Sequence, residues 1–218
     1  AKRPNPTLNS NGKLSALLSW QYAGYSSFDP PPKREKAISL QVLMYMKANA
    51  ASDLEHHTAD LALGALFFAC RSCEYLKVKG IRRTKTLRVL DIQFRLGRRV
   101  LAHDSPFLHL ADTVTVTFQD QKNRAKNASR TAWKTSNPLA CPVVAFASAV
   151  RRARALPGST DETFIYNFSI SRNRTFQAVS DSNMIASLRI AVNMIGEEKL
   201  GYKAEDVGTH SIRSGCAM

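Results

Sequence analysis

The sequence predicts an α+β fold that is mainly helical and contains a small antiparallel sheet. Three observations lead to this prediction: helical spacing of apolar residues before about residue 86, alternating spacing between about 86 and 136, and helical spacing again up to Gly196. The chain of 218 residues is 44% hydrophobic, which suits an ordinary folded domain with one substantial core.

The first 33 residues are predicted to be an N-terminal arm and linker. Residues 1–12 are rich in Pro and Asn, and a short helix up to Gly24 is expected from the spacing of Leu14, Leu17, Leu18 and Tyr22. The triple proline of FDPPPKREK then breaks the pattern, so residues 27–33 are interpreted as a linker. The main domain is expected to begin near Arg34 and to run to residue 218.

Two helices are predicted at the start of the main domain. The first is amphipathic, with one face formed by Ile38, Gln41, Val42, Tyr45 and Met46. The second starts near Ser52 and is apolar nearly all round from Leu61 to Cys70, which predicts a place at the centre of the fold. His56 and His57 are adjacent in sequence, which is too local an arrangement for a metal site. They are expected on an exposed turn of this helix.

A sheet is predicted over residues 86–136, because TLRVLDIQF and DTVTVTF alternate and SRTAWKTS could return as their partner. The polar, basic segment 119–128 between the last two strands is expected to be an exposed connection. Further helices are predicted from Cys141 towards Gly158 and from Asp181 or Ser182 to Ile195. Trp20 and Trp133 could stack on bases, but packing is the favoured interpretation for both.

The charge of the chain favours a polyanionic partner. Lys and Arg total 31 against 17 Asp and Glu, a formal net charge of +14, and the pI is near 10.0. Nucleic acid is the first candidate. A membrane is not expected, because no segment reaches the roughly 18 apolar residues of a span. The start of the sequence lacks the apolar core of a signal peptide, so an intracellular location is expected.

The four cysteines are expected to be reduced thiols, because they are few for this length. Cys70-x-x-Cys73 lies in the apolar run LALGALFFACRSCEYL, without a second CxxC or an HxxxH partner. Core thiols are therefore favoured over a zinc or redox site, and no metal is expected.

Two stretches carry candidate chemistry. Arg71 interrupts the most apolar helical run, with Glu74 three residues later. The pair could be an ion pair that ends a core helix, or Glu74 could orient a guanidinium that faces a cleft and binds an anion. In GTHSIRSGCAM, Thr209 is predicted as a helix N-cap, and His210 and Arg213 share one helix face. Such a pair suits a phosphate, and a solvated surface pair is the alternative.

Three motifs in order resemble those of the tyrosine recombinases. They are ACRSCEYL for the first arginine, FQDQKN for the hairpin lysine, and THSIRSGCAM for the His-x-x-Arg box. RSCEYL followed by KxxGIRRTK, with HSIRSG later, looks most like the integrases of Crypton-type and related eukaryotic mobile elements. The resemblance covers about residue 34 to the end, and residues 13–24 represent at most a remnant of the family's N-terminal core-binding domain.

The resemblance implies a role for each matching residue. Arg71 and Arg213 would hold the non-bridging oxygens of the scissile phosphate, and Glu74 would support Arg71. His210 would hydrogen-bond the phosphate and assist proton transfer from the attacking hydroxyl. Lys122 would protonate the departing 5′ oxygen, with Lys126 as the alternative because the register of the turn is open. No cofactor is implied, since a phosphotyrosine bond conserves the energy for religation.

One departure from the family concerns the nucleophile. The family's tyrosine, and the His or Trp box before it, lie downstream of the His-x-x-Arg box, and five residues follow Arg213 here. Site-specific cleavage and rejoining of DNA, for recombination or integration, is therefore expected of the full-length protein, and these 218 residues alone are expected to be inactive. Tyr202 precedes His210 and is expected to be a core or surface aromatic.

Duplex DNA is the expected partner, and a homo-oligomer is implied when the protein is full length. A nuclear location follows if the chain belongs to a eukaryotic mobile element. A non-catalytic DNA-binding module derived from such an enzyme is the alternative function, and type IB topoisomerase-like relaxation shares the same chemistry. DNA contacts are expected from Lys79, Arg82, Arg83, Lys85, Arg124, Arg130 and Lys134.

Overall fold

The computed structural model describes residues 35–78, 80, 84–120, 126–170 and 176–216, together with residues 13, 18 and 19. The chain divides into two compact units, Ala1–Arg34 and Glu35–Met218. Apart from those three positions, of which 18 and 19 are helical, the first unit lies outside the described residues, and so do the rest of the predicted N-terminal helix, the predicted linker and Trp20. The second unit carries every element described below.

The predicted pair of helices is present. Helix α1 is Leu40–Ala48, and helix α2 is Asp53–Phe68. Helix α2 begins with a capping box: the Glu55 N–H donates to Ser52 Oγ at 3.2 Å, and the Ser52 N–H donates to Glu55 Oε2 at 2.9 Å. From His57 onwards nearly every residue of α2 is buried, so α2 is the central helix, as its composition predicts.

Helix α2 crosses helix α4, Pro142–Arg154, at close range. A Cβ atom built on Gly64 would come within 2.7 Å of the Phe146 ring, which is itself buried and packs edge-on against Phe68. A larger residue at this position would require the Phe146 ring to shift. The contact fixes the central helix against the layer that also supports the sheet.

The sheet has four antiparallel strands in the order β2–β1–β3–β4. They are β1 Ile92–Leu96, β2 Arg99–Leu101, β3 Thr113–Asp120 and β4 Lys126–Trp133. Val114, Val116 and Phe118 are buried on one side of β3, as their alternation predicts. The α+β prediction is thereby confirmed.

The first strand is shorter than the alternation predicts. A 3-10 turn, Val89–Asp91, replaces its first half, because the Asp91 carboxylate accepts the Arg88 backbone N–H at 2.8 Å and draws the chain into a turn. Strand β2 was missing from the prediction.

The second half of the unit is built from short elements and one long helix. Strands β5, Asn167–Ser169, and β6, Phe176–Ala178, form a separate two-stranded sheet. Helix α5, Asp181–Ile195, ends at Gly196, which has a φ of 93°. The one-turn helix α3, Ser72–Tyr75, follows α2, and the unit ends with α6, Glu197–Leu200, and α7, Thr209–Gly215. No helix in the described part of the chain is long and apolar enough to cross a bilayer.

The prediction that His57 is exposed is wrong. Its side chain is fully buried on α2 and packs against the Phe168 ring with centroids 5.1 Å apart. Its Nε2 lies 2.9 Å from the Ile165 carbonyl oxygen, which can only accept, so Nε2 carries the proton. Burial, followed by the charge of Arg152, lowers the pKa of His57 to about 3. His57 is therefore a neutral core residue.

Asp60, one turn after His57, is a buried carboxylate on α2 that is neutralised from two sides. It accepts from Lys47 of α1 and from Arg152 of α4. A buried carboxylate needs such partners. Lys47 and Arg152 are thus structural cations that tie three helices together.

The stability of the fold should depend on pH through His57. Its pKa is about 3 in the folded protein and near 6.5 when unfolded, so the unfolded chain takes up this proton first as the pH falls. The contribution of His57 is present above about pH 6.5, and the free energy of unfolding should fall by up to about 1.4 kcal/mol per pH unit between about pH 6.5 and 3.

Urea unfolding of His57→Gln at a series of pH values measures this slope. The substitution should flatten the pH dependence, whereas His56→Gln, at the exposed neighbouring position, should leave it unchanged. Equal slopes in the wild type and His57→Gln would contradict the assignment of a neutral buried imidazole.

Candidate active site

The candidate site is built where helix α2 ends. The helix stops at Phe68, and Ala69 takes a left-handed conformation with a φ of 51°. The Cys70 N–H then donates back to the Ala65 carbonyl at 2.9 Å, which closes the end of the helix. The predicted helix through Cys70 is therefore slightly too long, and Arg71 lies at the start of the separate helix α3.

Glu74 of α3 holds Arg71 in place. Its carboxylate is 1% exposed and accepts the Arg71 backbone N–H at 2.7 Å and the Arg71 Nη1 at 3.1 Å. The Arg71 side chain is 25% exposed. The ion pair of the first interpretation is thus present, and it leaves a guanidinium that still reaches solvent.

Helix α7 carries His210 and Arg213. Thr209 is its first residue and Gly208 its N-cap, so the prediction of Thr209 as N-cap is wrong. The cap comes from Glu35, far away in the sequence, whose Oε2 accepts the His210 N–H at 2.9 Å and the Ser211 N–H at 3.1 Å. A local pattern could not reveal such a partner.

Gly208 provides the space for this carboxylate. A Cβ atom at position 208 would lie 2.3 Å from Glu35 Oε1, although the backbone there is extended and open to any residue. Position 208 therefore needs glycine so that the Glu35 carboxylate can come close, and not because the backbone conformation is unusual.

Arg213 returns to the end of α2. Its Nη1 donates to the Ala69 carbonyl oxygen at 3.0 Å, across 144 positions of sequence. Since Arg71 follows Ala69 by two residues, the structure brings the two predicted arginines to the same helix end. His210, one turn earlier on α7, has an exposed side chain.

A third arginine approaches from the sheet. Arg130 of β4 pairs with Val116 of β3 and so lies on the face that carries the core residues. Its charge and that of Arg213 both act on the buried Cys70 thiol, whose pKa is nevertheless raised, first by burial and then by the Glu74 carboxylate. The sequence predicts Arg130 only as a DNA contact, because the pairing register that places it here depends on the folded sheet.

Several predicted site residues lie outside the described residues. They are the predicted catalytic lysine and four predicted DNA contacts: Lys122, Lys79, Arg82, Arg83 and Arg124. Lys126, the alternative catalytic lysine, is exposed at the first position of β4 and pairs with Asp120 in the ladder.

Two more predicted DNA contacts and Trp133 are exposed. Lys85 is exposed and its backbone N–H donates to the Asp120 carbonyl at 3.2 Å, while Lys134 Nζ donates to the His109 carbonyl at 3.2 Å. Trp133 is 73% exposed, so the packing interpretation is wrong for it. It ends an edge strand on the face opposite Val114 and Val116, where no helix covers it in the described part of the chain.

The described tyrosines near the site have structural surroundings. The Tyr202 hydroxyl accepts the Ser39 backbone N–H at 3.2 Å, and its ring packs against the core. Tyr75 is 1% exposed, and burial raises the pKa of its hydroxyl. Tyr75 is therefore held neutral and away from solvent.

The four thiol groups differ in their surroundings. All four cysteines are free, with Cys70 and Cys141 buried, Cys73 half-buried and Cys216 exposed. Among the described residues, no group of three or more His, Cys, Asp or Glu side chains is arranged to hold a metal ion.

The placement of α7 should depend on Glu35 and Gly208 together. Glu35→Gln removes the charge at the helix N-terminus and should lower the free energy of unfolding by about 0.5–2 kcal/mol. Gly208→Ala should destabilise the wild type by displacing the carboxylate, but should cost little once Glu35 is already Ala. A double-mutant cycle of Glu35→Ala and Gly208→Ala by chemical denaturation measures this coupling, and Glu205→Gln on the surface is the control. Additive effects would contradict the contact.

No protein-family model, curated protein or solved structure matches this chain. The geometry at the end of α2, together with the three sequence motifs, is therefore what the functional proposal rests on.

Proposed function

We propose that this chain is the phosphate-binding part of a tyrosine-recombinase catalytic domain, which binds duplex DNA and acts in strand cleavage and rejoining through a 3′ phosphotyrosine. The observation that carries the proposal is the meeting of Arg71 and Arg213 at the end of α2, from opposite ends of the domain sequence. The expected catalytic-domain-like fold is part of the same proposal.

The arrangement suits a phosphodiester. Guanidinium groups grip phosphate oxygens through paired N–H donors, and donors fixed in advance stabilise the charge that develops in a pentavalent transition state. Glu74 fixes Arg71 and the Ala69 carbonyl fixes Arg213 before any ligand arrives. Arg130 adds a third positive charge on the sheet side of the site.

The reaction needs proton transfers that the remaining residues can provide. A tyrosine hydroxyl attacks phosphorus, and its proton passes to His210 as the new O–P bond forms. The bond to the 5′ oxygen breaks, and that oxygen takes a proton from Lys122 or, in the alternative, from Lys126. The reverse sequence rejoins the strand. His210 suits its role because it is exposed on the helix that also carries Arg213.

A non-catalytic DNA-binding module is the second candidate function. The net charge of +14 supports it equally, because binding needs cations but no fixed constellation. The two candidates differ in whether Arg213 matters more for chemistry than for binding.

DNA binding should depend strongly on salt. The affinity of the chain for duplex DNA should fall with a log–log slope of about −0.9 per phosphate contact, because each contact releases condensed counterions. Fluorescence anisotropy between low and high salt measures the slope, with Arg213→Ala compared against Arg151→Ala, which removes an equal charge from an exposed position on α4. Affinity that does not change with salt would overturn the proposal of a DNA partner.

Strand cleavage separates the two candidates. With a suicide DNA substrate, the 218 residues should form no covalent adduct, whereas a chain that continues to the family's tyrosine should form one without added metal. In that longer chain Arg213→Ala should slow adduct formation about 100- to 1,000-fold, the usual effect of removing one fixed donor to a developing oxyanion. DNA affinity should change far less.

The control in this assay is again Arg151→Ala, which should cleave at the wild-type rate. Absence of an adduct from the longer chain on its own DNA site would favour the binding module. An adduct formed by the 218 residues would show that the nucleophile lies within them, with Tyr202 the first to replace by Phe.

A further inference from the structure

An open cavity of about 390 Å³ lies beside the β3–β4 hairpin and is separate from the arginine site. Its walls come from the segment after α3, from residues 84–88, from the end of β3 and from the loop before β5. The lining includes three cationic side chains and two aromatic rings, which are Lys77, Lys85, Arg88, Phe164 and Tyr166. Ligand pockets in proteins commonly have volumes of about 300 Å³ or more, so the cavity is large enough for one small planar group.

One wall of the cavity is a stacked aromatic pair. The rings of Phe164 and Tyr166 are 5.2 Å apart between centroids and inclined by 15°. Phe164 remains 38% exposed although it is a large apolar side chain. The pair is held rigidly, because the Ile165 N–H donates to the Leu87 carbonyl at 3.2 Å and the Val89 N–H donates to the Thr163 carbonyl at 2.9 Å.

The cavity also has a cationic rim. Lys77 and Lys85 line it with exposed side chains, and neither forms an ion pair with a carboxylate in the described part of the chain. Arg88 differs, since Asp91 and Glu162 both pair with it and neutralise it. Glu162 is the acidic group in the lining, and its charge is met by this arginine. Among the described residues of the lining, the two ammonium groups are therefore the charges available to an anion.

We propose that this cavity binds a single nucleotide unit, with the base stacked on Phe164 and the phosphate on Lys77 and Lys85. An aromatic ring suits any base through its π-face, and lysine binds phosphate as a point charge. A free nucleotide and an unpaired nucleotide of a DNA strand share this chemistry. The DNA source is favoured because the Lys85 N–H donates to Asp120, the last residue of β3 before the basic connection that is predicted to contact DNA. That choice of source rests on the proposed function.

Photocrosslinking locates the base directly. A duplex carries one unpaired 5-iododeoxyuridine and is irradiated with the full chain, and the crosslinked peptide is identified by mass spectrometry. We expect the adduct on Phe164 or Tyr166, and no such adduct when the same base is paired. Adducts confined to other surfaces, Trp133 for example, would overturn the site.

Affinity tests the energetic contribution of the ring. The duplex with one unpaired nucleotide should bind about 5- to 150-fold more tightly than the fully paired duplex, the range expected for stacking of one base. Phe164→Leu keeps an apolar side chain but should remove this preference. Phe107→Leu, an equally simple change of a 56% exposed phenylalanine away from the cavity, should preserve it. A preference unchanged in Phe164→Leu would refute the proposal.

Binding of a free nucleotide, the other possible ligand, is tested with deoxyadenosine monophosphate. Inorganic phosphate serves as the comparison. Chemical-shift changes at residues 77, 85, 164 and 166 that saturate with the nucleotide, but not with phosphate alone, would support the pocket. Lys77→Gln with Lys85→Gln should weaken this binding, while Lys199→Gln on α6 should not. Saturation by phosphate alone with the same affinity would contradict a role for the base.

These experiments separate the failure of the cavity from the failure of the proposed function. If duplex DNA binds with the expected salt dependence but unpaired and paired duplexes bind equally, the cavity proposal fails and the DNA proposal stands. If no DNA binds but the mononucleotide saturates the cavity, the cavity stands as a free-nucleotide site and the DNA proposal fails.

Discussion

The Ala69 carbonyl oxygen is the point on which the candidate site depends. Helix α2 must end there because Ala69 turns left-handed, and this frees its carbonyl from the helix. The same carbonyl accepts Arg213 from the last helix, while the chain that leaves the turn carries Arg71. One end of a buried helix therefore sets the positions of two arginines from distant parts of the sequence.

Buried carboxylates do much of the positioning in this strongly basic protein. Glu74 holds Arg71, and Asp60 ties Lys47 and Arg152 to the central helix. Glu35 instead receives backbone N–H groups at the start of α7. Glu74 and Asp60 have partners because a buried unpaired charge is very unfavourable, whereas Glu35 is exposed. Lys77 and Lys85 form no ion pair with a carboxylate among the described residues.

The hairpin of β3 and β4 connects the two proposed sites. Arg130 on its core-facing side acts on the Cys70 thiol beside the arginines, and Asp120 at its tip accepts the backbone of Lys85 beside the cavity.

Local sequence determined those features that need only neighbouring residues. The 3.6-residue spacing in α1 and α2, the alternation Val114–Val116–Phe118 and the stop at Gly196 all act through the backbone of their own segment, so the α+β class and the central helix were predictable. Arg71, Glu74, His210 and Arg213 could be chosen as candidates from spacing and from resemblance.

Tertiary structure alone decided everything that depends on a distant partner. His57 is buried because Ile165 and Phe168 come to it, and Trp133 is exposed because it lies on the sheet face opposite Val114 and Val116. Glu35 caps α7 from the other end of the domain, and the strand register places the exposed Arg130 opposite Val116. Such contacts join residues far apart in sequence, and their free energies arise only when packing brings the groups together, so no local pattern records them.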